Sequence, residues 1–326
     1  GWGTALSQVL CDNGHDTWLW SHNAAKAAEM QKTRENPLLK GVILPETLQI
    51  TSDLSCLEGA DLVVSAAPSF AVRETARKMA PYLKRETILV SVSKGIERDT
   101  NLRMSQVIEE ETHHLCRVVA LSGPSHAEEV GRHVPTTVVA AGNSRSASEQ
   151  VQDLFMNERF RVYASPDVVG VELGAALKNV IALCAGCCDG MGYGDNTKAA
   201  LMTRGLSEIA RLGVALGAHS ETFAGLAGVG DLIVTCTSMH SRNRRCGILI
   251  GQGMPVEQAV KEIGAVVEGY YATATAKALA EKTGVEMPIT EAAYAVLYQG
   301  KDVREAIHEL MTRSKKHEIE QNWLNQ

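Results

Sequence analysis

Lys178 is the side chain that most invites a chemical reading. It interrupts a run of apolar and small residues, Leu173-Gly174-Ala175-Ala176-Leu177-Lys178-Asn179-Val180-Ile181-Ala182. An ammonium in such a segment is costly to desolvate, so its pKa should fall toward neutrality, which suits a general base. The competing reading is a lysine whose stem packs while its head reaches water, and the sequence alone does not choose between them. Asn179 is placed to orient either the lysine or a substrate oxygen. Two further loops carry polar groups. Ser93-Lys94-Gly95 and Ser122-Gly123-Pro124-Ser125-His126-Ala127 each follow an apolar run with strand character. In open α/β sheets ligands bind in the crevice at the C-terminal ends of strands. Lys94 and Ser125 would face that crevice, and the small residues around them let a ligand approach the backbone. Gly228-Val229-Gly230-Asp231-Leu232 then ends a glycine-rich stretch in an acid, and Ser241-Arg242-Asn243-Arg244-Arg245 follows ten residues after Asp231. Arginine clamps phosphate through two parallel bonds, and Ser and Asn add more. A solvated basic loop is the plainer reading for Arg244 and Arg245. Val266-Val267-Glu268-Gly269 sets a carboxylate after an apolar pair, as an acceptor for a ribose or an amide.

These residues need a scaffold. Residues 62–66 and 88–92 are continuous apolar runs of the kind that form buried parallel strands. Residues 16–21, 118–121, 137–141 and a short stretch near 161–163 add further strands. Helical patterns lie between them at 4–12, 24–32, 70–83, 101–111 and 147–156. The alternation predicts an α/β domain of the doubly wound, Rossmann type. After Ser165-Pro166-Asp167 the pattern changes. Residues 168–188 read as a long buried helix, with Ser165 as its N-cap and Pro166 as its first residue. Helices follow at 197–216, 256–263, 271–283, 290–299 and 303–312, and no strand pattern competes. The expected division is residues 1–165 as the dinucleotide-binding domain and 166–326 as an all-α domain. The end, 313–326, reads as a solvated tail.

The sequence opens on Gly1-Trp2-Gly3-Thr4-Ala5 and passes straight into a helix. With Gly3 as the last glycine of a dinucleotide fingerprint, the first strand and two earlier glycines would be missing, and activity of the chain as it stands would be in doubt. The helix N-terminus would then face a pyrophosphate. The next strand ends in Ser21-His22-Asn23. An NAD-selective site usually offers an acid there for the ribose hydroxyls. Its absence tilts the expectation toward the 2′-phosphate of NADP.

Composition sets the outer limits. At roughly 150 residues per domain, 326 residues make about two domains. Hydrophobic residues are 45% and charged residues 21%, a globular balance. The net charge is −6, which argues against a general nucleic-acid binder. No uncharged apolar run approaches the ~18 residues of a membrane helix. Cys184, Cys187 and Cys188 cluster in the apolar helix, but no second cluster answers them, so buried thiols of a reducing cytosol are expected rather than a metal site.

The chain closely resembles bacterial NAD(P)-dependent glycerol-3-phosphate dehydrogenases. The motifs are GWGTA at 1–5, SKG at 93–95, GPSHA at 123–127, LKN at 177–179, GLAGVGDLIVT at 225–235, SRNRR at 241–245 and VVEG at 266–269. They run in family order over essentially the whole chain. The resemblance implies a cytoplasmic enzyme that reduces dihydroxyacetone phosphate to sn-glycerol 3-phosphate for phospholipid synthesis. It makes Lys178 the proton-transfer lysine. It places Lys94, Gly123, Ser125, Lys178, Asp231, Ser241, Arg242 and Asn243 on the substrate. It places Gly1, Trp2, Gly3, His22, Lys94, Ala127, Arg242, Val266 and Glu268 on the cofactor, NADP or NAD. His126 stands where the family usually has Phe. A homodimer is expected from the frequency of such assemblies. Rival readings are a hydroxy-acid dehydrogenase of the same architecture, an NADP-binding sensor without catalysis, and a thiol-based redox sensor.

Overall fold

The computed structural model describes residues 1–318, so part of the expected tail, 319–326, lies outside the described residues, while 313–318 are exposed. The α/β half begins with α1 (Trp2–Asp12), β1 (Trp18–Trp20), α2 (Ala24–Thr33) and β2 (Gln49–Thr51). It continues through β3 (Leu62–Ser65), α3 (Val72–Met79), β4 (Ile88–Ser91), α4 (Met104–Glu111) and β5 (Arg117–Ser122). The one-turn α5 (Ala127–Val130), β6 (Thr136–Gly142), α6 (Arg145–Phe155) and β7 (Phe160–Ser165) complete it. The helical half holds α7 (Val168–Gly190), α8 (Asp195–Ala215), α9 (Ser220–Phe223), α10 (Asp231–Thr237), α11 (Arg242–Gly251), α12 (Val256–Glu262), α13 (Glu268–Thr283), α14 (Pro288–Gln299) and α15 (Val303–Thr312). A single π-helical turn, Leu226–Gly230, leads into α10.

β1 and β2 pair in parallel as a small sheet, and β3-β4-β5-β6-β7 form a second one. In the larger sheet β3, β4 and β5 are parallel, β6 reverses against β5, and β7 is parallel to β6. The segment between β5 and β6 holds only α5, too little for the helical crossover that a parallel neighbour requires. β4 is buried along its whole length, as its apolar run predicts. α1, α5 and α6 pack their apolar faces on this sheet around Leu6, Val9, Val90, Val119, Leu121, Val138 and Phe155.

Several boundaries move from the expected ones. Ser165 does not cap α7, because it still pairs with Ala141 in the β6–β7 ladder. The cap is Asp167, whose carboxylate accepts from the Gly170 amide at 2.8 Å, and Pro166 precedes the helix. The 70–83 helix shortens to α3, with 3-10 turns on either side of it and Pro81 in the second. α13 starts at Glu268, so the VVEG acid sits in the first turn of a helix. α10 and α11 occupy a region that was expected to be a glycine-rich loop and a basic cluster.

α7 is apolar on all sides and passes a length-and-hydropathy test for a membrane span, yet it is buried inside the protein. A helix apolar all round belongs in a core. Its neighbours reach it through glycines. A Cβ on Gly247 of α11 would stand 2.0 Å from the Leu183 carbonyl oxygen, and one on Gly251 would stand 2.3 Å from that of Cys187. In return, a Cβ on Gly186 or Gly190 of α7 would stand 2.0 Å from the Arg244 carbonyl oxygen or 2.2 Å from that of Ile248. Gly269 of α13 and Gly174 of α7 repeat the device, against the Asn179 and Ala227 carbonyls. The two halves also share a core, where Ala120 and Ala141 of the sheet meet Val168, Val171 and Ala227. Glu172 of α7 ties into α4, accepting from the Ser105 amide at 2.7 Å and from Arg103 Nη1 at 2.6 Å.

Gly247→Ala forces the α7–α11 pair apart. We expect it to cost about 1–3 kcal/mol of stability, the usual range for overpacking, read from the denaturant midpoint. Gly194→Ala, whose added Cβ meets nothing within 4 Å, should shift the midpoint less, by only the ~0.5–1 kcal/mol of exchanging a glycine N-cap for alanine.

Candidate active site

The site assembles where β4 and β5 end against α7 and α10. Past the end of β4, Ser93 Oγ donates to the Ala67 carbonyl at 2.6 Å and fixes the loop. Lys94 Nζ then donates to the Gly123 carbonyl at 2.9 Å, to Asp231 Oδ2 at 2.9 Å and to Ser125 Oγ at 3.4 Å. Gly123 has φ +144, and a Cβ there would lie 3.0 Å from Val138 Cα, so the turn out of β5 requires glycine. Lys178 Nζ, from the middle of α7, donates to Asp231 Oδ1 at 2.5 Å and to Thr235 Oγ1 at 2.6 Å. Lys178 is 4% exposed and Asp231 1%, so the lysine does not reach for water.

One carboxylate thus serves two ammoniums. Burial pushes the Lys178 amine down to about 8, with Asp231 pulling it up and Lys94 pressing it further down. Burial alone would raise the Asp231 carboxyl, but Lys178 and Lys94 overcome this and hold it below the ordinary carboxylate range. The three side chains sum to one positive charge, which favours an anion.

A second chain of bonds ties α11 and α13 to the same place. Asn243 Nδ2 donates to Asn179 Oδ1 at 2.9 Å, and Asn243 Oδ1 accepts from the Gly269 amide at 2.8 Å. Asn179 Nδ2 in turn reaches the Lys94 carbonyl at 3.4 Å. Much of Asn243 is therefore spent on structure, with one amide proton left. Ser241 caps α11, its Oγ accepting from the Arg244 amide at 3.2 Å, and its own O–H can still donate. Arg242 is exposed at the first turn. Its charge is felt by the Glu268 carboxylate, so it lies near the predicted cofactor residues while it flanks Ser241 and Asn243 of the substrate set. Arg244 is no solvated loop residue. Its Nε donates to Asp189 Oδ2 at 2.7 Å, and Lys198 holds Oδ1 of the same acid at 2.6 Å. Arg245 is exposed.

The cofactor set is dispersed around this centre. Gly1 precedes α1, and no side chain caps the helix. Gly1 and Ala127 meet, with an added Cβ on Gly1 3.9 Å from the Ala127 Cβ. Gly3 packs on Ala66, where a Cβ would come within 2.9 Å. Trp2 Nε1 is buried with no partner among the described residues. Free helix amides and a spare indole donor fit an anionic dinucleotide linkage. Glu268 accepts from Ser69 Oγ at 2.8 Å and lies against Gly95, whose added Cβ would be 3.2 Å from Oε2. Burial raises the Glu268 carboxyl above its usual value. His22 is exposed beyond β1, and Asn23 caps α2 through the Lys26 amide. Val266 is half-buried ahead of α13. The clustered thiols are sequestered, and burial pushes Cys188 and Cys246 up to about 11 and Cys236 up to about 12.

Thr235 and Ser69 were not singled out from sequence. Thr235 stands four residues after Asp231, one helical turn, but that spacing has meaning only once α10 is known to be a helix.

An open α/β sheet with an uncapped helix N-terminus, joined to a helical domain that supplies a buried lysine, is the architecture of a two-domain nicotinamide-dependent dehydrogenase. Residues 1–148 match the family described as NAD-dependent glycerol-3-phosphate dehydrogenase N-terminus, and residues 167–308 match its C-terminus. The chain belongs to this family. It is 55% identical over 321 residues to the glycerol-3-phosphate dehydrogenase [NAD(P)+] of Desulfitobacterium hafniense, covering 98% of this chain and 91% of the relative. The enzyme of the same name from Pelotomaculum thermopropionicum is 56% identical over 324 residues, covering 98% and 93%. The crystal structure of glycerol-3-phosphate dehydrogenase from Coxiella burnetii superposes with a TM-score of 0.91 at 38% identity, covering 96% of both chains.

Asp231→Asn strands two ammoniums beside a neutral amide. Removing one partner of a buried ion pair costs about 3–5 kcal/mol. Lys178 is then driven below its present value of about 8. Between that lowered pKa and 8 the folded variant binds fewer protons than the unfolded chain. The loss of stability should therefore be largest at acid pH and shrink as pH rises toward 8, in denaturant titrations across that range.

Proposed function

We propose that this chain reduces dihydroxyacetone phosphate to sn-glycerol 3-phosphate with NAD(P)H, in the cytoplasm, supplying glycerophospholipid synthesis. The observation that carries the reading is Lys178, buried, lowered to about 8 and sharing Asp231 with Lys94. When bound, the nicotinamide supplies a hydride to the carbonyl carbon. Lys178, an ammonium at neutral pH, gives the proton from Nζ to the carbonyl oxygen, and takes it back in the reverse direction. Asp231 and Thr235 hold Nζ in place. Lys94, Gly123 and Ser125 line the substrate, and Ser241, Arg242 and Asn243 grip its phosphate at the start of α11. Gly1, Trp2, Gly3, His22, Ala127, Val266 and Glu268, with Lys94 and Arg242, take the cofactor. The absence of an acid at Ser21-His22-Asn23 supports NADPH over NADH. Residues 1–165 and 166–326 act as the cofactor and substrate domains of a homodimer. A sensor without catalysis would have no use for a desolvated lysine, and a hydroxy-acid enzyme none for a phosphate clamp.

The test is oxidation of NADPH and NADH with dihydroxyacetone phosphate. Lys178→Ala should lower kcat about 10²–10⁴-fold, the usual worth of a general acid, with NADPH binding retained. Unchanged turnover removes Lys178 from the mechanism. In the unaltered enzyme, kcat for ketone reduction should fall as pH rises through about 8, while that for alcohol oxidation climbs over the same range.

A further inference from the structure

His126 lies at the site and has no part in the charge balance described above. It sits between Ser125 and Ala127, directly before α5, and its carbonyl accepts from the amides of Glu129 and Val130. That anchors the backbone from which the ring projects. The Nε2 atom is buried and has no hydrogen-bond partner among the described residues. Buried polar atoms in folded proteins are nearly always paired, so an orphan at a site marks the place of a water or a ligand. The ring lies tilted against that of His240, with centroids 5.5 Å apart. His240 immediately precedes Ser241, the cap of α11. His126 thus bridges the loop that leaves β5 and the loop that enters α11.

The charges facing the ring come from every side of the site. Burial is the main influence on it, and Lys178 from α7 and Lys94 from the end of β4 add to that, together lowering its proton affinity. Glu128 and Glu129 of α5 act weakly against them, and His240 faces the ring. Asp231 is already bound to both lysines. A neutral imidazole keeps one N–H, so it can donate to an anion without adding a third cation to the site.

We propose that His126 is a substrate-binding residue whose Nε2–H donates to a phosphoryl oxygen of the substrate, opposite the N-terminus of α11. This rests on the reading of the chain as a reductase of a phosphorylated ketone. The phosphoryl group is chosen over the reacting carbonyl because the carbonyl belongs at Lys178 Nζ, while the ring abuts the His240–Ser241 loop that opens α11. A dianion against the ring draws a proton onto it as pH falls. Protonation of the phosphate itself as pH falls works the other way, so the contribution of the ring is the difference between enzyme and variant.

The experiment compares the unaltered enzyme with His126→Phe and His126→Gln. Inorganic phosphate is titrated by calorimetry in the presence of NADPH, and kinetics are run with dihydroxyacetone phosphate. His126→Phe should weaken phosphate roughly tenfold, the scale of a hydrogen bond to a charged group, and raise KM in parallel, with kcat and NADPH affinity unchanged. His126→Gln, which keeps an N–H, should recover part of the loss. The advantage of the unaltered enzyme over His126→Gln should widen as pH is lowered, because the bound anion then draws a proton onto the ring. Phosphate affinity unchanged in both variants overturns the proposal, as does a loss confined to NADPH, which would move His126 to the cofactor. If the unaltered enzyme binds phosphate but does not reduce the ketone phosphate, the functional reading falls, and the phosphate titration still decides the role of His126.

Discussion

The Asp231 carboxylate, buried between Lys94 and Lys178, is the interaction on which the rest of the site depends. Its three members come from the end of β4, the middle of α7 and the first turn of α10. The two deeply buried members, Lys178 and Asp231, would not keep their charges where they lie without their partners. A lone ammonium at the depth of Lys178 would lose its proton, and a lone carboxylate at the depth of Asp231 would gain one. Together they stay ionised, and each bond also fixes a backbone. The sheet is thereby pinned to the helical half by charge as well as by the small shared core of Ala120, Ala141, Val168, Val171 and Ala227.

Such a triad tolerates little slack, and the packing of α7 explains how it is kept. Glycines of α11 and α13 sit on carbonyl oxygens of α7, so helix axes come closer than any side chain would allow. The Asn179–Asn243–Gly269 bonds then run across the same three helices. Arg244 on Asp189 locks the register of α11 against α7, and Lys198 on the same acid ties in α8. The first turn of α11, with Ser241 and Arg242, is therefore presented at a fixed distance from Lys178. A backbone amide terminus and a buried ammonium are thus held in fixed relation by the same helix packing.

The sequence carried more of the chemistry than of the packing. Lys178 stood out because it interrupts an apolar helix, although only its burial in the structure decides against a snorkelling lysine, and Lys94 because a lysine after a buried strand has a predictable direction. α11 did not stand out, since Ser241-Arg242-Asn243 read as a phosphate clamp, Arg244 and Arg245 as a solvated basic loop, and no helix was assigned between residues 216 and 256. Glycine weakens a helix by local propensity, whereas at Gly247 and Gly251 close contact with α7 rewards the missing side chain more than propensity penalises it. Once α11 and α10 were lost to loops, Thr235 had no face to share with Asp231, and Arg244 had no reason to pair. The cap of α7 was misplaced by one motif: Ser165-Pro166 matches a helix start, but the β7 ladder extends to Ser165 and leaves the role to Asp167. The reversal of β6 was equally hidden, because its core, residues 138–141, is an apolar run like those of the parallel strands beside it.

The proton chemistry follows from how burial and pairing are balanced. An exposed lysine would be too weak an acid to give up its proton readily near neutrality, and an unpaired buried one would have none to give. Burial lowers Lys178 and Asp231 restores part of the loss, leaving the amine near 8. That is close enough to physiological pH for the ammonium to predominate and still be a competent donor. Lys94 then has two effects through a single carboxylate. It draws on Asp231 and so weakens the hold of that acid on Lys178, and it brings the positive charge that favours an anion. In the proposed reading, the geometry that collects the substrate also sets the acidity of the group that would protonate it.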